Sequence, residues 1–290
     1  MPQTLANLLN WGKSQLKNSG VDDFDISAEL ILRSLTNFSR SELLLNLGSE
    51  ADSKMAEKYK VMIEKRCRRV PLQYLLGEVE FHNVKLKVDS RALIPRPETE
   101  TLVETVIARL KGVDRPRILD IGTGSGNIAI ALAKNISRAT VDGVDISSEA
   151  LELAAHNAQL NDISQSLNFR KLDILDAEAA GNLGLYDCVV SNPPYIAGKD
   201  RDKLQLEIIE HEPEIALFSG DDPLRFFKTI VGIISYILRR GGLLAFEVGI
   251  GQANDVSRSM NDEFRDIEIA KDLAGIKRVV TGFYEGFDKK

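Results

Sequence analysis

Cysteine is scarce in this chain of 290 residues, with Cys67 and Cys188 its only two. Two thiols build no disulfide framework, and neither stands at a metal-ligand spacing. Cys188 falls in the apolar run Cys188-Val189-Val190 and reads as a small buried residue. Histidine is as rare: His82, His156 and His211 are scattered and each is read as structural, so no metal is expected. Positive charge is not in excess, since 37 Lys and Arg against 43 Asp and Glu give a formal net charge of -6. That balance argues against a broad nucleic-acid surface, and no stable nucleic-acid partner is expected. The cluster Lys65-Arg66-Arg68-Arg69 reads as a solvated helix end. Long apolar runs are missing as well. Val231 to Leu238 is the most apolar late stretch, too short to cross a bilayer and closed by Arg239-Arg240. Met1-Pro2-Gln3-Thr4 opens no basic, apolar and small-residue series of the kind that targets a chain for export. A cytoplasmic location without membrane contact is therefore expected.

Hydrophobic residues at 43% and charged residues at 28% suit a globular protein, and the length holds one large domain or two modest ones. Two textures divide it. Up to about residue 70 the pattern is helical. Leu5, Leu8, Leu9 and Leu16 recur at helical spacing, as do Ile26, Leu30, Ile31 and Leu35, with Asp25 placed to cap. Segments 41–47 and 53–69 continue the pattern, so residues 1–70 read as a small helical bundle. Residues 71–89 read as a linker, in which Phe81 to Val88 suggests half of a hairpin. Residues 90–290 form the second domain. Strands are expected at 117–121, 139–145, 167–173, 186–191 and 242–248, alternating with helices that include 128–133, 148–160 and a long one over 224–240. A final hairpin is expected from 267–272 and 278–284. This alternation predicts an α/β, Rossmann-like doubly wound sheet.

The first strand of that domain runs into Gly122-Thr123-Gly124-Ser125-Gly126 and then a helix. Glycines at such a turn let a ligand approach the backbone, at the sheet edge where doubly wound folds bind ligands. Dinucleotide binders space these glycines as G-x-G-x-x-G. Here Gly122, Gly124 and Gly126 are one residue tighter, which suits a nucleoside without a pyrophosphate, such as S-adenosylmethionine. Asp145, at the end of the next strand, is placed to accept hydrogen bonds from both ribose hydroxyls, whereas Asp142 reads as a turn or surface residue. Asp173 is either an acceptor for the adenine amine, with Ile174 against the ring, or a solvated strand-end aspartate.

The fourth strand breaks at Asn192-Pro193-Pro194-Tyr195. Two prolines fix φ and remove two donors, leaving a stiff loop with free carbonyls. An amide or nucleobase amine is a poor nucleophile because its lone pair is delocalised, so an enzyme methylating one must chiefly align it. Asn192 Oδ1 and the Pro193 carbonyl could accept the two hydrogens of an NH₂ group, and Tyr195 could offer its ring to a planar substrate. Alignment of this kind contributes about 7–11 kcal/mol. The methylated nitrogen is acidic and needs no dedicated base.

With these residues in view, the chain resembles the bacterial release factor glutamine methyltransferases. The likeness extends to Pro71 to Gly77, to Leu93-Ile94-Pro95-Arg96-Pro97-Glu98-Thr99-Glu100, to Glu212-Pro213 with Ala216-Leu217, and to Phe246-Glu247-Val248-Gly249. It implies a class I methyltransferase domain with a seven-stranded, mostly parallel sheet whose last strand is antiparallel, preceded by a helical substrate-recognition domain. It implies S-adenosylmethionine as methyl donor and S-adenosylhomocysteine as product. The implied acceptor is the glutamine of the Gly-Gly-Gln tripeptide of peptide chain release factors, which are the expected partners. By position, Gly122 to Gly126, Asp145 and Asn192 carry over to the donor, and Asn192, Pro193, Pro194 and Tyr195 to the glutamine amide. Ile174 and His211 stand where an aromatic is common. Pro95-Arg96-Pro97-Glu98 is read either as part of the pocket wall or as a helix start. Two other functions remain open: methylation of an exocyclic base amine, which would need a basic track, and a non-catalytic docking module, which would need no Asn-Pro-Pro-Tyr loop.

Overall fold

The computed structural model describes residues 4–260 and 263–286. The chain forms two compact units, residues 1–78 with 205–211 and residues 79–204 with 212–290. The segment 71–89, expected as a linker, is thus divided between them.

The first unit contains α1 (Leu5–Asn18), α2 (Phe24–Thr36), α3 (Arg40–Leu45), α4 (Ser53–Cys67) and α5 (Leu72–Leu76). Leu8, Leu16, Ile31, Leu32, Tyr59 and Ile63 are fully buried in its core. Thr4 caps α1, Asp52 caps α4, and Ser39 with Glu42 forms a capping box on α3. Helix α2 differs from expectation. Asp23, not Asp25, stands at its N-cap, and Ile26 points to solvent at 61% exposure while Ser27, Ala28, Ile31 and Leu32 are buried.

The basic cluster also departs from a solvated face, because Arg66 is buried. Its guanidinium donates to Asp23 Oδ1 at 2.8 Å, Ser27 Oγ at 3.2 Å, the Val70 carbonyl at 3.2 Å and Glu207 Oε1 at 3.2 Å. Arg69 donates to the same Glu207 oxygen, and His211 Nε2 lies 3.2 Å from the Arg68 carbonyl. These contacts hold α10 (Leu206–His211) in the helical unit. Burial pushes the Glu207 carboxyl up, but a backbone hydrogen bond, Arg69 and Arg66 outweigh it and leave the value lowered.

The second unit opens with the hairpin β1 (Glu78–Phe81) and β2 (Val84–Lys87) and continues with α6 (Glu100–Arg109). There follow β3 (Arg117–Ile121), α7 (Asn127–Asn135), β4 (Thr140–Asp145), α8 (Ser148–Leu160), β5 (Leu167–Lys171), α9 (Ala177–Gly181) and β6 (Tyr186–Ser191). After β7 (Ile196–Ala197) come α11 (Glu214–Leu217), β8 (Phe218–Gly220), α12 (Arg225–Gly232), α13 (Ile234–Ile237), β9 (Leu238–Glu247), α14 (Ala253–Met260), β10 (Phe264–Lys271) and β11 (Lys277–Tyr284).

Seven strands form one sheet in the order β10-β11-β9-β6-β3-β4-β5. The last strand, β11, runs antiparallel to both its neighbours, while β9, β6, β3, β4 and β5 pair in parallel. The central strands are near-continuous apolar runs because helices cover both faces. One face packs Phe227, Ile230, Ile234 and Val256 of α12 to α14 against Leu119, Val189 and Leu244. The other packs Leu102, Val106, Ile130 and the hairpin residues Phe81 and Leu86 against Ile118, Val190 and Leu243.

The long helix expected over 224–240 is instead two short helices, and its last residues already belong to β9. Gly241 adopts a left-handed φ of 79°, and the register with β6 jumps between Leu238 and Leu243. The residues between them form a bulge that ends the helix early. Asp142 is no turn residue: it pairs with Leu119 inside β4 and accepts from Tyr186 Oη at 2.5 Å and Arg170 at 3.4 Å. Among the described residues no helix is long and apolar enough to cross a membrane.

Candidate active site

Strand order brings the two distinctive motifs side by side. Ile121 and Ser191 are register partners at the carboxyl ends of β3 and β6, and Ser191 Oγ donates to the Ile121 carbonyl at 2.7 Å. The glycine turn after β3 and the Asn-Pro-Pro loop after β6 therefore open onto one cavity of about 330 Å³, a volume within the range of small-molecule sites. Gly122, Thr123, Gly124, Ser125, Asp145, Asp173, Ile174, Asn192, Pro193 and Pro194 all line it.

Two expected residues do not. Gly126 starts α7 with φ 82°, and a Cβ there would come within 3.1 Å of both Ala154 Cβ and Ile130 Cδ1. Its smallness serves packing between α7 and α8. Tyr195, expected to present its ring to a substrate, packs instead against the core beneath the loop. Burial raises its hydroxyl to about 12, with the charge of Glu247 adding to the shift.

Around the turn, Gly124 N–H donates to Asp145 Oδ2 and Ser147 N–H to Oδ1, both at 2.9 Å. Each carboxylate oxygen keeps further acceptor capacity toward the cavity. Burial raises the Asp145 pKa against these backbone hydrogen bonds. Asp120, which residue patterning left without a role, is fully buried in β3 and accepts from Thr123 Oγ1 at 2.7 Å. Burial pushes its carboxyl up to about 7. An acid inside an apolar strand, directly before the glycine turn, was the available signal. Asp173 Oδ1 accepts from Leu175 N–H at 2.9 Å, so this side chain shapes its own turn and also borders the cavity.

The far wall is braced from a distance. Glu212, 4% exposed, accepts from Ile94 N–H at 3.2 Å and pairs with Arg96 at 2.5 Å. Ile94, Pro95 and Arg96 line the cavity, and Pro97 and Glu98 start the turn that leads into α6. The segment is wall and helix start together. On the loop, Asn192 Nδ2 donates to Thr99 Oγ1 at 3.3 Å. Gln252 Nε2 donates to the Tyr195 carbonyl at 2.9 Å while its Oε1 accepts from Gly249 N–H at 3.0 Å. A Cβ on Gly249 would sit 2.8 Å from Gln252 Oε1 and 3.0 Å from Tyr195 Cδ2. Nothing in local spacing announced Gln252, whose partners lie in other elements.

A parallel sheet closed by one antiparallel strand, with a glycine turn facing an Asn-Pro-Pro-Tyr loop across one cavity, defines a class I methyltransferase. Comparison with known proteins agrees. Residues 7–77 match the PrmC N-terminal domain and residues 97–220 the methyltransferase small domain. The release factor glutamine methyltransferase of Deinococcus radiodurans is 36% identical over 276 residues, covering 95% of this chain and 97% of that protein. That of Thermodesulfovibrio yellowstonii is 40% identical over 234 residues, covering 80% and 82%. The hMettl16 catalytic domain in complex with an RNA hairpin shares the fold at a TM-score of 0.54 and 14% identity, over 82% of this chain and 84% of that one. The chain belongs to the release factor glutamine methyltransferase family.

Proposed function

We propose that the chain transfers a methyl group from S-adenosylmethionine to the side-chain amide nitrogen of the glutamine in the Gly-Gly-Gln motif of peptide chain release factors. The observation that carries this reading is the cavity bounded on one side by Gly122 to Ser125 with Asp145 and on the other by Asn192 to Pro194. The names of the relatives support the acceptor. When bound, S-adenosylmethionine supplies an electrophilic sulfonium methyl, and its sulfur keeps the electron pair of the broken C–S bond.

The residues of the chain do the rest. Gly122 to Ser125 would let the donor approach the backbone, and Asp145 would take the ribose hydroxyls on its remaining lone pairs. Asp173 and Ile174, which line the cavity, would hold the adenine. Asn192 Oδ1 and the Pro193 carbonyl accept the two amide hydrogens, which turns the nitrogen lone pair toward the methyl carbon. The methylated nitrogen would carry a positive charge and release one proton to water. Pro193 and Pro194 keep the acceptors from relaxing, and Tyr195 backs the loop. Such alignment contributes about 7–11 kcal/mol. Recognition of the release factor is assigned to the helical unit, which exposes Ile26, Leu44 and Leu45.

The test is transfer of a labelled methyl group to a purified release factor, to the same factor with the Gly-Gly-Gln glutamine replaced by alanine, to DNA and to RNA. Label on the unaltered factor alone is expected. Label on nucleic acid, or undiminished label on the alanine variant, overturns the proposal. Asn192→Ala should abolish transfer with donor binding retained.

A further inference from the structure

Glu247 ends β9 at 2% exposure, after the buried apolar residues Leu243 to Phe246. Burying a carboxylate there is costly unless it is paired and hydrogen-bonded. The fold offers little compensation, because Oε2 has no hydrogen-bond partner among the described residues. Arg278, whose charge favours the ionised form, is itself engaged by Asp272 at 3.0 Å.

The side chains that favour its ionised form from nearby belong to the loop and wall of the cavity, Thr99 and Asn192, and Asn192 directly follows Ser191, the register partner of Phe246. Asn192 Nδ2 also donates to Thr99 Oγ1 at 3.3 Å. An ionised carboxylate only accepts, so only the Nδ2 edge of the Asn192 amide is accommodated against it. With Nδ2 donating to Thr99 and this edge of the amide beside the carboxylate, Oδ1 is left for the cavity that Asn192 lines. We propose that Glu247, together with Thr99, is a positioning residue that holds Asn192 with Nδ2 inward and Oδ1 toward the substrate NH₂. This inference rests on the acceptor role of Asn192 in the reaction proposed above.

Protonation reverses the arrangement. A neutral Glu247 becomes a donor, favours Oδ1 as its partner, and turns the Nδ2 edge toward the substrate, where two donors would meet. Burial pushes the Glu247 carboxyl up to about 7, against the influence of Thr99, the charge of Arg278 and Asn192, with Glu98 adding to the rise. The other charged or titratable groups facing it are Arg278 from β11, Glu98 from the turn before α6, and Tyr195 from the loop. Tyr195, at about 12, keeps its proton throughout the neutral range.

The experiment compares full-length Glu247→Met, Glu247→Gln, Thr99→Val and Asn192→Ala with the native protein. It measures transfer to a release factor against pH, S-adenosylhomocysteine binding by calorimetry, and thermal melting. The Asn192 side-chain ¹⁵N–¹H₂ signals of the ligand-free protein are followed against pH. Glu247→Met should lower kcat roughly ten- to hundredfold, the scale of one charge-assisted hydrogen bond, with S-adenosylhomocysteine binding unchanged and melting equal or higher. Thr99→Val should lower kcat in the same direction. Glu247→Gln, neutral and able to donate as the protonated acid does, should hold kcat at the low acid-side level at every pH and lose the pH dependence expected of the native protein. The native Asn192 signals should titrate near neutrality, and those of Glu247→Gln should not. Native kcat in Glu247→Met, a loss that tracks melting and ligand binding, or Asn192 signals indifferent to pH overturns the positioning role. If Asn192→Ala itself remains active, the reading of the reaction fails. An inactive Asn192→Ala beside a fully active Glu247→Met sinks this inference alone.

Discussion

Arg66→Met should unfold the helical unit at markedly lower denaturant. Methionine keeps the apolar packing of the arginine stem but removes the donors to Asp23, Ser27, the Val70 carbonyl and Glu207. Glu207, its side chain 17% exposed, would be left with Arg69, whereas Asp23 at 40% regains water readily. Removing one partner of a fully buried pair costs roughly 3–5 kcal/mol, and the wet side of this one lowers the expected loss to about 2–3 kcal/mol. With a urea slope of about 1–1.5 kcal/mol/M for a unit of this size, the midpoint should fall by roughly 2 M. Trp11 is the chain's one tryptophan and lies 6.4 Å from the Tyr59 ring within the same unit. Its emission therefore follows that unit and not the sheet. An unmoved Trp11 midpoint would mean that the Arg66 guanidinium is solvated, as the local charge run alone suggests, and would refute the reasoning.

Gly249→Ala would place a methyl 2.8 Å from Gln252 Oε1 and 3.0 Å from Tyr195 Cδ2, a clash worth about 1–3 kcal/mol. Because the displaced partners hold the Asn-Pro-Pro-Tyr loop, methyl transfer should fall more steeply than melting temperature; unchanged turnover would show slack at this contact. Asp120→Asn tests a pH effect. The native carboxyl titrates at about 7 when folded against 3.8 ordinarily, so its contribution is fully present below the lower value and is lost as pH rises toward the higher. The variant lacks that slope, and its melting temperature relative to the native protein should improve between about pH 5 and about pH 8. Parallel melting curves across that window would show that Asp120 does not titrate there.

The sheet was legible from residue pattern because buried parallel strands leave short apolar runs between helices. The runs at Ile118, Val141 and Val189 needed no distant information. The final hairpin was equally plain. Segment 224–240 misled because apolar residues at a helix end and at a buried strand start look alike, and only the Leu238 to Leu243 register jump separates them. At the cavity, the glycine turn and the Asn-Pro-Pro loop were legible because unusual backbone demands unusual residues. Their supports were not. Thr99, Glu212, Glu247 and Gln252 act on residues in other elements, and no local spacing encodes such partnerships. The burial of Arg66 is hidden from local sequence for the same reason, since Glu207 reaches it from far along the chain.

The excursion of residues 205–211 into the helical unit makes that unit discontinuous in sequence. A fragment cut after residue 78 would carry the five amino-terminal helices yet lack the acidic side chain that answers Arg66 and Arg69. Anyone wishing to study it in isolation must graft the missing heptapeptide back, or supply it as a separate peptide, before asking what it binds.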